Sequence, residues 1–243
     1  MHRSILLVLT ILALALPGCA TRSPLPLAEL SWGRLRLGQA PTSDAPEQHR
    51  SLLDTPPRYK LPTSIALAHT YADYRGYARI VGSEDMERWT AIAKGCPGIT
   101  GFTPVTPMLV GTDSPSLDDL RVAADAMRCE LLMVVGTAQS QVTNYTDAAG
   151  LYWTFVGLWL APGHSVEHKT LMQAMLVDVR TGSVLCVATG EAYAKQLTAS
   201  AYKEIAQDKV AKQTQKQAAD NLFADVERLL KALPAPVAAA ADN

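Results

Sequence analysis

The sequence has no surplus of charge of either sign: 22 Lys and Arg stand against 23 Asp and Glu over 243 residues, a formal net charge of −1. A chain without excess positive charge cannot hold a polyanion through phosphate contacts, so nucleic acid is not an expected partner. Cysteine is scarce, at 4 residues, which excludes a disulfide-dense scaffold, and 15 Gly with 15 Pro are too few for a collagen-like chain. No apolar run reaches the roughly 20 residues that a membrane-spanning helix needs. There is no serine-hydrolase elbow, phosphate-cradling Gly-rich loop or dinucleotide fingerprint, which removes the commonest sequence-readable routes to those enzyme classes. What is present is 48% apolar and 19% charged residues, the composition of a chain that folds around a core.

The longest apolar stretch, Ile5 to Leu16, follows Arg3 and has the length of a signal-peptide core rather than of a spanning helix. It runs into Leu16-Pro17-Gly18-Cys19-Ala20, which resembles the lipobox of bacterial lipoproteins, with Leu16, Gly18 and Cys19 on the motif and Pro17 a less usual occupant of its position. The resemblance implies cleavage before Cys19 and a diacylglyceryl and N-acyl (palmitate-type) lipid on that residue. Ala20, in place of an inner-membrane retention Asp, implies an outer-membrane address facing the periplasm. Two or more acyl chains anchor stably where one is marginal.

Four segments follow from composition. Residues 1–18 read as the signal, 19–57 as a Pro-rich spacer that stays extended, 58–233 as a periplasmic domain, and 234–243 as a disordered tail. Within the domain, Ser64–Thr70 reads as a strand and Ser83 as the cap of a helix whose apolar face is Met86, Trp89 and Ile92 or Ala93, ending at Gly95. Ile99–Val105 is a weaker strand, and Ser116 to Asp119 is a capping box ahead of Leu117, Leu120, Ala124 and Met127 on one helical face. Leu131–Val135 is a central strand covered on both faces. His168–Arg180 and Ser183–Ala194 form a hairpin about Arg180-Thr181-Gly182, and Ala201–Leu233 is a long helix whose C-terminal half docks on the sheet. The expected fold class is α/β, a mixed sheet of about five strands with helices packed on it and a long C-terminal helix.

The run Leu151-Tyr152-Trp153-Thr154-Phe155-Val156-Gly157, followed by Pro162-Gly163 and a strand with Val177-Asp178-Val179, resembles rhombotarget-type bacterial lipoproteins, although no rhombosortase-type tail ends this sequence. The strand-Asp178-x-Arg180-Thr181-Gly182-strand hairpin is similar to the curli-secretion-channel, penicillin-binding-protein-activator and TolB N-terminal group of envelope domains. These resemblances imply an α/β fold and protein contact or assembly in the periplasm, with an envelope protein or a homo-oligomer as partner. They imply no active site.

Residues 151–162 hold two Trp, one Tyr and one Phe in a chain where aromatics make up 6%. Three readings compete: a core-covering element, a surface for a partner or another subunit anchored by Trp153, Phe155 and Trp159, and an element dipping into lipid headgroups. His164-Ser165-Val166-Glu167-His168 matches H-x-x-E-H, in which two helical histidines bind zinc and the glutamate acts as base. This is the alternative, zinc-hydrolase reading. Against it, the motif leads into a strand, where His164 and His168 lie about 13 Å apart at roughly 3.3 Å per residue, and a solvated, polar stretch is the plainer expectation. Glu191 and Glu227 are the available third ligands, without a distinctive setting. His69, near Asp73, reads as a hydrogen-bonded structural residue. Cys96 and Cys129 fall at one edge of an alternating strand-helix fold, so a disulfide between them and unlinked thiols are both open, while Cys186 reads as a buried small hydrophobe. No catalytic residue, metal or separate cofactor is assigned: the expected function is non-catalytic.

Overall fold

The computed structural model describes residues 59–72, 78–81, 86–110 and 116–233. The signal motif with Leu16, Gly18 and Cys19, the spacer, the tail, Asp73 and Ser83 lie outside the described residues. The elements in chain order are β1 (Thr63–Ala72), β2 (Ala78–Val81), α1 (Met86–Gly95), β3 (Ile99–Pro104), the single turn α2 (Pro107–Val110) and α3 (Leu117–Ala126). After these come β4 (Leu131–Tyr145), a 3-10 helix (Asp147–Trp153), α4 (Phe155–Leu160), β5 (His164–Asp178), β6 (Val184–Thr198), a short 3-10 helix (Ser200–Tyr202) and α5 (Lys203–Lys231).

The sheet runs β2-β1-β4-β5-β6, with β3 also on β1. β3 pairs parallel with the first half of β1 and β2 antiparallel with the second half, so the two short strands share one edge of it, while β4 pairs parallel along the other edge. Thr146 N–H donates to Gly163 O at one end of the β4–β5 pair and Val179 N–H to Glu130 O at the other, which makes that pair antiparallel. The β5–β6 hairpin closes where Gly182 takes φ +74°, a left-handed conformation that glycine adopts without steric cost. Parallel and antiparallel pairs in one sheet, helices against it and a long C-terminal helix are the architecture expected from the sequence.

The described residues cluster into two compact units within the span expected as one domain. The larger includes β1, β2, β3, α1 to α3, the residues of β4 up to Gln139, β5 from Lys169, β6 up to Ala192 and α5 from Thr214. Its core follows from strand alternation, since successive side chains point to opposite faces. Ile65 and Leu67, Leu131, Met133 and Val135, and Ala174 and Leu176 pack with Trp89 and Ile92 of α1 and with Leu222, Phe223 and Val226 of α5. Ala66, Ala68, Leu132 and Val134 face the other way, onto Leu120, Ala123 and Ala124 of α3. The Trp89 ring sits 5.0 Å from that of Phe102 and 4.7 Å from that of Phe223, a geometry worth about 0.5–1.5 kcal/mol per pair beyond area burial. Arg88 lies over the Phe223 ring at 4.0 Å and pairs with Asp220 at 2.7 Å. The α3 capping box is present, with Asp119 N–H donating to Ser116 Oγ and Ser116 N–H to the Asp119 carboxylate.

Contact between α5 and β6 depends on a missing side chain. A Cβ built at Gly190 would stand 2.1 Å from Ala218 O and 2.5 Å from Leu222 N, so only glycine permits this crossing. Beside it, Thr189 N–H donates to Asp225 Oδ2 and Asn221 Nδ2 donates to Glu191 O, so side chains of the helix occupy backbone groups of the edge strand. That arrangement blunts the edge against pairing with another strand.

Candidate functional site

The smaller unit comprises Ser140–His168 and Tyr193–Gln213 among the described residues. Its interior mixes polar groups with a few small apolar ones, Ala161, Val166, Ala199, Ala206 and Val210. Neither hydrophobic cluster contains one of its residues. Ser140, Asn144, His164, Ser165, His168 and Thr198 are buried in it, and Gln207 donates to Thr143 Oγ1 at 3.1 Å. Yet it carries twelve of the seventeen large apolar side chains that are exposed among the described residues.

Most of that exposed apolar surface is the segment between β4 and β5. Thr146 closes the segment's base: its N–H donates to Gly163 O at 2.9 Å and its hydroxyl to Pro162 O at 2.7 Å. Thr154 separates the 3-10 helix from α4, its hydroxyl donating to Leu151 O at 2.8 Å and accepting the Gly157 N–H at 2.9 Å, an N-cap in the usual sense. With Gly157 turned inward, α4 presents Phe155, Val156, Trp159 and Leu160 outward. Trp153 is 84% exposed and Phe155 78%, while Trp159 is 48% exposed, its ring edge-on to that of Tyr202 at 6.0 Å. The core-covering reading of residues 151–162 is therefore overturned for Trp153 and Phe155, whose side chains are left in solvent. Tyr152 is the segment's inward anchor. Its hydroxyl is buried, which pushes its pKa up, and a Cβ at Gly163 would stand 2.4 Å from its ring.

Beneath the segment lies His164, 5% exposed, with the Tyr145 and Tyr152 rings 4.8 and 5.3 Å away. Burial, and then the nearby Lys203 ammonium, hold its pKa below the ordinary histidine range; burial does the same at His168. The two residues are consequently neutral, buried groups, which corrects the expectation of a solvated stretch.

The H-x-x-E-H residues lie in β5, and a strand cannot use them as a helix would. His164, Val166 and His168 share one face, and Glu167 points to the other. There the Glu167 carboxylate takes Lys195 Nζ at 2.8 Å, the Tyr193 hydroxyl at 3.1 Å and the Ser165 hydroxyl at 3.4 Å, and these donors, Lys195 foremost, lower its pKa. A carboxylate so occupied and turned away from both imidazoles is not placed to serve as their base. The other suggested ligands are also engaged, Glu191 by Lys169 at 2.5 Å and Glu227 by Lys231 at 2.6 Å. Among the described residues no three His, Cys, Asp or Glu side chains gather as a metal-binding group. His69 makes a 3.4 Å contact with the Thr137 hydroxyl.

Of the two states open for Cys96 and Cys129, the structure has the unlinked one. Cys96 and Cys129 are free thiols, and they belong to different hydrophobic clusters, Cys96 with α1 and Cys129 with α3. Cys129 Sγ instead lies 3.1 Å from Ser64 Oγ. Cys186 is also free but only partly buried, and burial pushes its thiol pKa up, as at Cys96.

No family model matches the chain. No curated protein matches it. Solved structures with similarity include a PelC dodecamer from Paraburkholderia phytofirmans, at 12% identity over 74% of this chain and 93% of that one, with a TM-score of 0.31. A hypothetical protein, CT253 of Chlamydia trachomatis, matches at 10% identity over 72% and 100% of the two chains, with a TM-score of 0.35. Protein XCC0632 of Xanthomonas campestris matches at 8% identity over 74% and 91%, with a TM-score of 0.29. Likenesses of this strength transfer no function.

Proposed function

We propose that the chain is a non-catalytic, lipid-anchored envelope component that works by protein contact through the apolar surface of residues 151–160. The observation that carries the reading is the exposure of Trp153, Phe155, Val156 and Leu160, neighbours in one short segment, on a unit none of whose residues belongs to either hydrophobic cluster. Monomeric proteins rarely expose such a patch without using it. The lipobox resemblance at Leu16, Gly18 and Cys19 supports an outer-membrane anchor facing the periplasm, and the resemblance to rhombotarget-type lipoproteins and to the TolB N-terminal group supports an assembly role. Among the described residues no helix is long and apolar enough to cross a membrane.

The test has two arms. Cys19→Ala should abolish metabolic labelling with fatty acid, and labelling that persists would refute the anchor. Replacing Trp153 and Phe155 together by Ala should remove the chain from any complex extracted in mild detergent while leaving its far-UV dichroism unchanged. An unaltered complex would refute the surface.

A further inference from the structure

The interaction surface can be assigned an occupant from its charge and size. From Ala148 to Gly163 there is no Asp, Glu, Lys or Arg, and no Lys or Arg before Lys169. A lipid-headgroup surface is recognised by aromatic side chains set among basic ones, and an acidic or basic partner by opposite charge. Neither recognition chemistry is present in this segment. An uncharged apolar surface is, by contrast, compatible with its own image. A twofold contact places each residue opposite the same patch, where like charges would repel, and here there are none to meet.

Size points the same way. The exposed parts of Leu151, Trp153, Phe155, Val156, Trp159 and Leu160 amount to on the order of 800 Å², since aromatic side chains present about 150–250 Å² each. The largest apolar patch of an ordinary monomer is ~300–600 Å², and a standard interface covers ~800 Å² per partner. The segment is also held in shape before contact, by the Thr154 cap and the Thr146 hydrogen bonds to Pro162 and Gly163, so little ordering is left to do on docking.

We propose that residues 151–160 dock against the same residues of a second copy of this chain, with Trp153, Phe155 and Leu160 at the centre of a twofold contact. This rests on the reading of the surface as a protein contact and names its partner. Copies tethered to one membrane would meet at a raised effective concentration, which favours self-contact further.

The experiment is photo-crosslinking in intact envelopes of the full chain carrying p-benzoylphenylalanine at position 155, co-expressed in two epitope-tagged lengths, with the same group at exposed Val122 as control. The expected result is a product of twice the chain mass that contains both tags, formed from position 155 and not from 122. Removing Trp153 by substitution with Ala should weaken that product by roughly 30-fold, the effect of losing a central interface aromatic. A product of another mass alone would overturn self-docking and leave the protein-contact reading standing. No protein product, or a lipid adduct alone, would overturn both.

Discussion

Replacing Trp153 by Ala should cost the fold little, whereas the same replacement at Trp89 should cost it much. Trp153 is 84% exposed, so about 40 Å² of a side chain of roughly 250 Å² is withdrawn from water, worth ~1 kcal/mol at 25 cal/mol per Å². Trp89 is 3% exposed and packs on Phe102 and Phe223, so its loss removes nearly the whole transfer term and leaves a cavity. That class of substitution costs ~3–5 kcal/mol. Denaturant unfolding of the two variants measures both costs: the midpoint should move slightly for Trp153→Ala and strongly for Trp89→Ala at an unchanged slope. A loss above ~3 kcal/mol for Trp153→Ala would show that its ring is buried in the native protein and would refute the surface argument.

Three further outcomes follow from the same structure. His164 and His168 have folded-state pKa values held below the ordinary 6.5, so the unfolded chain takes up protons first; their contribution is intact above pH 6.5 and is lost as pH falls below it. The two together should lower stability by up to ~2.7 kcal/mol per pH unit in that window, and equal stability at pH 7.5 and 5.5 in the wild type would contradict this. Gly190→Ala should destabilise by at least ~1–3 kcal/mol because the new methyl meets the α5 backbone; a neutral result in urea unfolding would show that the crossing is looser than 2.1 Å implies. Unfolded, unreduced protein should release three titratable thiols, from Cys96, Cys129 and Cys186, and a count of one would restore a disulfide.

Much of the larger unit was legible because local signals agreed with the packing. The Ser116 capping box, the apolar run Leu131–Val135, the Gly182 turn and the spacing of Leu222, Val226 and Leu230 each report one local choice that the fold keeps. β2 leaves no mark in the sequence because four residues are too short to show a period. The second half of β4, beyond Val135, leaves no strand signal in the sequence because Gln139, Ser140, Gln141, Thr143 and Asn144 place polar side chains on both faces, with no alternation to detect. The state of Cys96 and Cys129 is open in the sequence because two helix-to-strand loops at one end of a sheet lie on opposite sides of it when their helices cover opposite faces, and strand-helix order does not say which faces they cover. The strand setting of His164 and His168 is readable in the sequence, but not their burial, which at His164 depends on Tyr145 and Tyr152 folding over it. No local signal separates an exposed apolar helix from a buried one, so α4 was recognisable as unusual and its exposure was not.

The most direct test of the central claim is the molar mass of the acylated, detergent-extracted protein by light scattering over a concentration series, with bound detergent subtracted. The account predicts a mass of at least two chains that falls toward one chain for the variant carrying Ala at positions 153 and 155. A single-chain mass at every concentration, with wild type and variant alike, would contradict it.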